Sequence, residues 1–226
     1  MFFAIFVQAL AGFGSGLIAM PLLIAVLGLE TAAPAFAITV QAMGVMMMWR
    51  YRNAFDWSEV WRVSVAGLVM IPIGIWSAGQ ISEAIVMVLL GIFLISYSLF
   101  SLSGASIPML HYKYGFGFGA ISGLLHGAYN TGGPPLVMYG TSQRWHPAKF
   151  KVNIASLFFI NGMWVIIIHL FAGNITQSVL QNTAVMIPTM AVAMFLGVSL
   201  DRFIKPEQFR RGVLILLLLI GINLII

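Results

Sequence analysis

The chain has 226 residues, of which 61% are hydrophobic and 8% charged, whereas a soluble domain carries about 25% charged residues. That excludes a soluble globular fold, and long uncharged stretches such as Val63 to Gln80 and Ala84 to Ser103 read as membrane spans. The formal net charge of +5 comes from Lys and Arg confined to short segments between apolar runs; they form no continuous basic face, so nucleic acid is excluded as a partner.

The first apolar stretch, 1–28, has no basic n-region and no small-residue cleavage pattern, so it is expected to insert as it stands. It is interrupted by Gly12-Phe13-Gly14-Ser15-Gly16 and predicts two half-helices around a break. Three spans follow, at 31–49, 60–79 and 84–103. A second interrupted stretch, 114–142, breaks at Asn130-Thr131-Gly132-Gly133-Pro134-Pro135. Three more spans follow it, at 149–172, 178–198 and 207–226.

Positive charge orients these elements, because Lys and Arg accumulate in short cytoplasmic loops. They fall in 50–62 (Arg50, Arg52, Arg62), in 104–113 (Lys113), in 143–151 (Arg144, Lys149, Lys151) and in 199–211 (Arg202, Lys205, Arg210, Arg211). The connections near 28–30, 80–83 and 173–177 hold none. If 114–142 crossed once, one basic cluster would be external; if it re-enters, every basic loop is cytoplasmic. Half-helices of about ten residues reach about 15 Å, which is midplane depth. The predicted fold is therefore all-α and polytopic, with two repeats, 1–110 and 111–226. Each repeat is a re-entrant broken-helix hairpin plus three spans, and three crossings per unit force the second to be inverted. Both termini are expected to be external. An offset of 117 residues, which pairs Gly16 with Gly133, Thr39 with Ser156 and Ala32 with Lys149, agrees with the repeat.

Inverted repeats with paired broken helices are the plan of secondary transporters, whose substrate site lies at the repeat interface. The half-helix N-termini would offer unpaired N–H groups and partial positive charge, which favour an anion. Candidate ligands are Gly14, Ser15, Gly16 and Leu17 at the first break and Asn130, Thr131, Gly132 and Gly133 at the second. Backbone N–H groups of residues 15–17 and 131–133 act together with the side chains of Ser15, Asn130 and Thr131, since Pro134 and Pro135 carry no N–H. His126 before the second break, Gln41 in the first span and Asn153 in the fourth complete the set. All six acidic residues (Glu30, Asp56, Glu59, Glu83, Asp201, Glu207) map to span ends or loops, which argues against a cation pathway. Gly119, Gly123 and Gly127 recur every four residues and predict a flat helix face for close packing. No nucleophile–base pair, metal-ligand spacing or Walker-type phosphate loop occurs, so neither an enzyme, a cofactor nor an ATP-driven pump is expected.

These residues resemble the TauE/SafE family of sulfite exporters, also called the toluene sulfonate uptake permease family. The likeness covers most of the chain. It rests on Gly12 to Pro21, on Gly119 to Gly123 followed by Gly132-Gly133-Pro134-Pro135, on Arg52-Asn53-Ala54-Phe55-Asp56-Trp57, and on Phe209-Arg210-Arg211 entering an apolar helix with Gly221. The resemblance implies a bacterial-type inner-membrane carrier that moves sulfite, a sulfonate or a related small organic anion without ATP. Absence of Cys excludes a cysteine-dependent thiosulfate mechanism. The expected partners are thus a small anion (sulfur oxyanion, sulfonate or carboxylate) and the lipid bilayer, with proton coupling and a homodimer left open. An anion-selective channel or a non-transporting membrane scaffold would share the same architecture.

Overall fold

The computed structural model describes residues 1–78, 80, 83–104, 108–200 and 206–225. The basic residues Arg202 and Lys205 and the acidic Asp201 lie outside them. All regular structure among the described residues is helical, as lipid demands of any open chain, because a helix satisfies its own N–H and C=O groups. The helices are α1 (Phe2–Ala11), α2 (Ser15–Leu27), α3 (Leu29–Arg50), α4 (Trp57–Ala78), α5 (Glu83–Leu102), α6 (Tyr114–Tyr129), α7 (Gly133–Ser142), α8 (Pro147–Phe171), α9 (Gln177–Leu200) and α10 (Pro206–Asn223), with a 3-10 turn at Arg52–Ala54. Among the described residues, α3, α4, α8 and α9 are long and apolar enough to cross a membrane. α5 and α10, of 20 and 18 residues, coincide with the remaining two expected spans.

Both predicted breaks are present, each with a local cause. α1 stops at Gly12 (φ 84°) and α2 starts after Gly14 (φ 105°), left-handed conformations that side chains resist. α6 stops at Asn130 (φ 53°), one of the few non-glycine types that tolerates this region, and α7 starts at Gly133 with prolines in its first turn.

Helix packing repeats itself. α4 packs against α6 and α1 against α9; α3 packs against α9 and α4 against α8; α2 packs on α3 and α7 on α8; α3 packs on α8 and α5 on α10. Replacing every helix by the one five places along the chain maps each of these contacts onto another or onto itself. Small residues set the distances. The Gly119, Gly123 and Gly127 face of α6 lies on the α4 backbone: a Cβ on Gly123 would come within 2.5 Å of the Gly67 carbonyl oxygen, and Gly119 and Gly127 meet the Val63 and Ile71 carbonyls in the same way. Gly91 and Gly221 give α5 and α10 a comparable approach.

Three of the basic loops meet at one end of the molecule. Lys149 Nζ lies 2.8 Å from Asp56 Oδ2 and 3.2 Å from Glu59 Oε1, the Arg62 guanidinium sits 4.4 Å from the Tyr112 ring centroid, and Gln143 Nε2 donates to the Leu110 carbonyl at 2.8 Å. The last bond joins the two ends of 114–142. At the opposite end Met1, Leu27 and Ile175 pack against one apolar cluster, which brings the start and finish of the first broken stretch together.

Two outcomes follow for stability. Gly123→Ala should lower the thermal midpoint of the purified protein, at a cost of about 1–3 kcal/mol for overpacking. Gly117→Ala, which meets open space on the same helix, should leave it unchanged or raise it. Bonds from the Lys149 ammonium and the Ser58 hydroxyl hold the Asp56 carboxyl below its ordinary 3.8. A depressed carboxylate stabilises fully above its ordinary value and loses that contribution as pH falls through the lower folded-state value. The midpoint should therefore drop more between about pH 6 and about pH 3 in wild type than in Asp56→Asn; equal drops would show that the pair contributes nothing.

Candidate functional site

At the first break the Gly12 N–H closes α1 on the Gln8 carbonyl. The Gln8 side chain then takes over the start of α2: its Oε1 accepts from the Ser15 N–H at 3.2 Å and from the Ser15 hydroxyl. Ser15 is thus turned onto the protein, and the N–H groups of Gly16 and Leu17, which have no carbonyl one turn back within the helix, point the dipole of α2 into the interior. At the second break the Asn130 N–H bonds the His126 carbonyl at 2.9 Å and the Thr131 N–H bonds the Leu125 carbonyl at 3.2 Å, closing α6 in the manner of a left-handed C-cap. The expectation that Thr131 offers its N–H to a ligand is corrected here, since the cap consumes it. Gly133 is the residue before Pro134, where a Cβ resists helical geometry.

The two breaks touch. A Cβ on Gly16 would run into the Asn130 carbonyl, and Asn130 Nδ2 donates to the Ala33 carbonyl of α3 at 3.0 Å. Beside this contact lies a cavity of about 30 Å³, bounded by the breaks and by α3 and α8, with room for about two waters. Gly14, Ser15, Gly16, Leu17, Gln41, His126, Asn130, Thr131 and Gly133 all line it. Gly132 and Asn153 do not. The Cα of Gly132 faces Ser122, whose hydroxyl donates to the Gly132 carbonyl at 2.8 Å. Asn153, fully buried, accepts the Asp56 N–H on Oδ1 at 3.2 Å, because the start of α8 lies at the ion-paired end of the molecule.

Three buried atoms around the cavity, Gln41 Oε1, His126 Nδ1 and Asn130 Oδ1, have no hydrogen-bond partner among the described residues. Buried polar atoms are almost always paired with protein or ordered water, so this lining calls for a polar occupant. Among the described residues no Asp, Glu, Lys or Arg lines the cavity, and His126 is its one titratable side chain. No group of three or more His, Cys, Asp or Glu among the described residues is placed to hold a metal. The stem of Lys151 passes Gly12, with Cγ 3.8 Å from where its Cβ would be, and its ammonium sits 5.6 Å from the Tyr51 ring centroid. That puts a cation at the cavity's edge on the ion-paired side.

Sequence reasoning missed Gln8 and the apolar wall of Phe36, Val40, Met43, Met47, Phe158 and Phe159. Gln8 left a signal, as the one amide in the first broken stretch, seven residues ahead of Ser15. The wall left none, because apolar residues in an apolar chain carry no contrast.

Comparison with known proteins agrees with this architecture. The family model described as "Sulfite exporter TauE/SafE" matches residues 1–224. A protein of Cupriavidus necator named "Probable sulfite/organosulfonate exporter TauE" is 24% identical over 229 residues, covering 97% of this chain and 88% of its own length. No solved structure matches.

The Gln8–Ser15 contact generates a direct check. Gln8→Leu leaves a buried N–H and hydroxyl without an acceptor, which should cost about 1–3 kcal/mol and lower the thermal midpoint. Adding Ser15→Ala should cost less than the sum of the two single changes, since one partner is already gone; strict additivity in that double-mutant cycle would show the two side chains to be uncoupled.

Proposed function

This chain belongs to the sulfite exporter TauE/SafE family of membrane transporters, and from that premise we propose that it is a secondary carrier exporting sulfite, a sulfonate or a related small organic anion across a bacterial-type inner membrane. The observation that carries the reading is the meeting of the α2 and α7 N-termini at one cavity with unpartnered polar atoms and no carboxylate. Helix N-termini favour negative charge. A site built of backbone N–H groups and neutral amides binds an anion without a fixed cation and releases it readily. At about 30 Å³ the cavity suits a small oxyanion, and a bulkier sulfonate requires it to widen.

Alternating access follows from an inverted arrangement of the two halves. Supporting it are the packing pattern, which survives exchange of the halves, the bond that ties both ends of the second broken stretch together, and the gathering of the ends of the first stretch at the opposite pole. Each stretch is then a re-entrant hairpin with its tip at the midplane. Basic loops meet at one pole, which by the positive-inside rule is cytoplasmic and leaves both termini external. A co-transported proton travels on the anion itself or on His126, the sole titratable group of the lining.

The test is uptake of labelled sulfite into proteoliposomes, with sulfoacetate and sulfate as competitors. Wild type should show saturable, competable uptake and counterflow; single-channel currents instead would identify a pore. Gln41→Glu places a carboxylate in the site and should reduce uptake at least tenfold. Gln41→Leu removes an amide whose Oε1 has no partner among the described residues and should reduce uptake at an unchanged thermal midpoint. Full uptake by Gln41→Glu would remove the anion site from this cavity.

A further inference from the structure

The cavity is off-centre. On α3 it extends past Gln41 to Gly44 and Met47, and on α8 it reaches Ala155, all toward the pole of the Lys149–Asp56 ion pair. A carrier built from two matching halves has a second half-pathway toward the other pole, and its residues are found by carrying this lining across the repeat. The 117-residue offset that pairs Gly16 with Gly133 sends Gly44 to Asn161 and Met47 to Trp164.

Those two positions are unusual in this structure on independent grounds. Asn161 is fully buried, and neither its Nδ2 nor its Oδ1 has a hydrogen-bond partner among the described residues; the indole N–H of Trp164 has none either. An amide with both ends unpaired in a membrane interior is destabilising, and shape alone does not require it, since an apolar residue would fill the space. The amide lies against α4, where a Cβ on Gly67 would be 3.0 Å from Asn161 Oδ1. One residue further along α8, Gly162 carries the Gln41 amide of the cavity lining. Asn161 and Trp164, three residues apart, share a face of α8 on its way to the pole where Asn174 bonds His169 at 3.0 Å.

We propose that Asn161 and Trp164 line the outward half of the anion pathway, collapsed onto α4 in this conformation and hydrated when the halves exchange their arrangements. The assignment rests on the carrier reading above. It accounts for the unpaired amide as a group whose partners are water and substrate in the other state.

The chain contains no Cys, so single-cysteine variants can be made in the natural background. Asn161→Cys and Trp164→Cys would be exposed in right-side-out and inside-out vesicles to a membrane-impermeant methanethiosulfonate, with and without sulfite. Asn174→Cys and Ala155→Cys mark the two poles, and Ile154→Cys, fully buried, marks the packed core. Asn161→Cys and Trp164→Cys should react from the Asn174 face only, Ala155→Cys from the opposite face only, and sulfite should change the first two rates at least threefold. Reaction no faster than at Ile154→Cys, or from the Ala155 face, would overturn the assignment. Trp164→Cys reads the same wall if Asn161→Cys does not assemble. Sulfite uptake measured in the same vesicles judges the carrier reading separately, because labelling does not require net transport.

Discussion

The Asn130 carbonyl occupies the space that a side chain at residue 16 would need, while the Asn130 amide reaches the Ala33 carbonyl of α3. Two interrupted helices are thereby pinned against each other and against the span that follows the first of them. Interrupted backbone is tolerated at membrane depth only where protein or a water-filled cavity satisfies it. Each break solves part of the other's problem: the second supplies the surface on which Gly16 packs, and the first supplies the floor of the cavity into which the second opens. α3 and α8, packed on each other, close the remaining walls.

Much of this arrangement was legible from residue types. The breaks were readable because Gly12, Gly14 and Asn130 hold left-handed backbone and Pro134 and Pro135 cannot continue a helix. The flat face of α6 was readable because Gly119, Gly123 and Gly127 fall at helical spacing, and it lies on α4 as that spacing requires. Basic loops at 50–62, 104–113 and 143–151 were assigned to one side by charge, and contacts join them. Hydrogen-bond bookkeeping at the breaks was not legible. Sequence does not say that the Thr131 N–H is spent on a cap or that Ser15 turns onto Gln8, because each depends on the path of the chain through the break. Asn153 was misplaced for a related reason: it is polar and sits in a span, yet the start of α8 lies at the ion-paired pole, so its partner is the backbone of Asp56.

The proposed anion site is defined by what it omits. A buried Lys or Arg would bind an anion more tightly and would resist letting it go, and in a low-dielectric interior it would need its own counter-charge once the site emptied. Helix termini and neutral amides avoid both difficulties. Full charges sit outside the lining instead: Lys151 passes Gly12 at its edge, and the Lys149 cluster lies at the pole, partly exposed to water.

The uneven grip on the two broken stretches bears on how the protein is made. α6 lies in direct backbone contact with α4 through three glycines, and α4 precedes it in the chain, so the second broken stretch is made after the groove in which it docks. α1 precedes its packing partner α9, which begins only at Gln177. The first broken stretch therefore gains that contact only after α9 has been made, so closure of α9 over α1 is a late step of assembly.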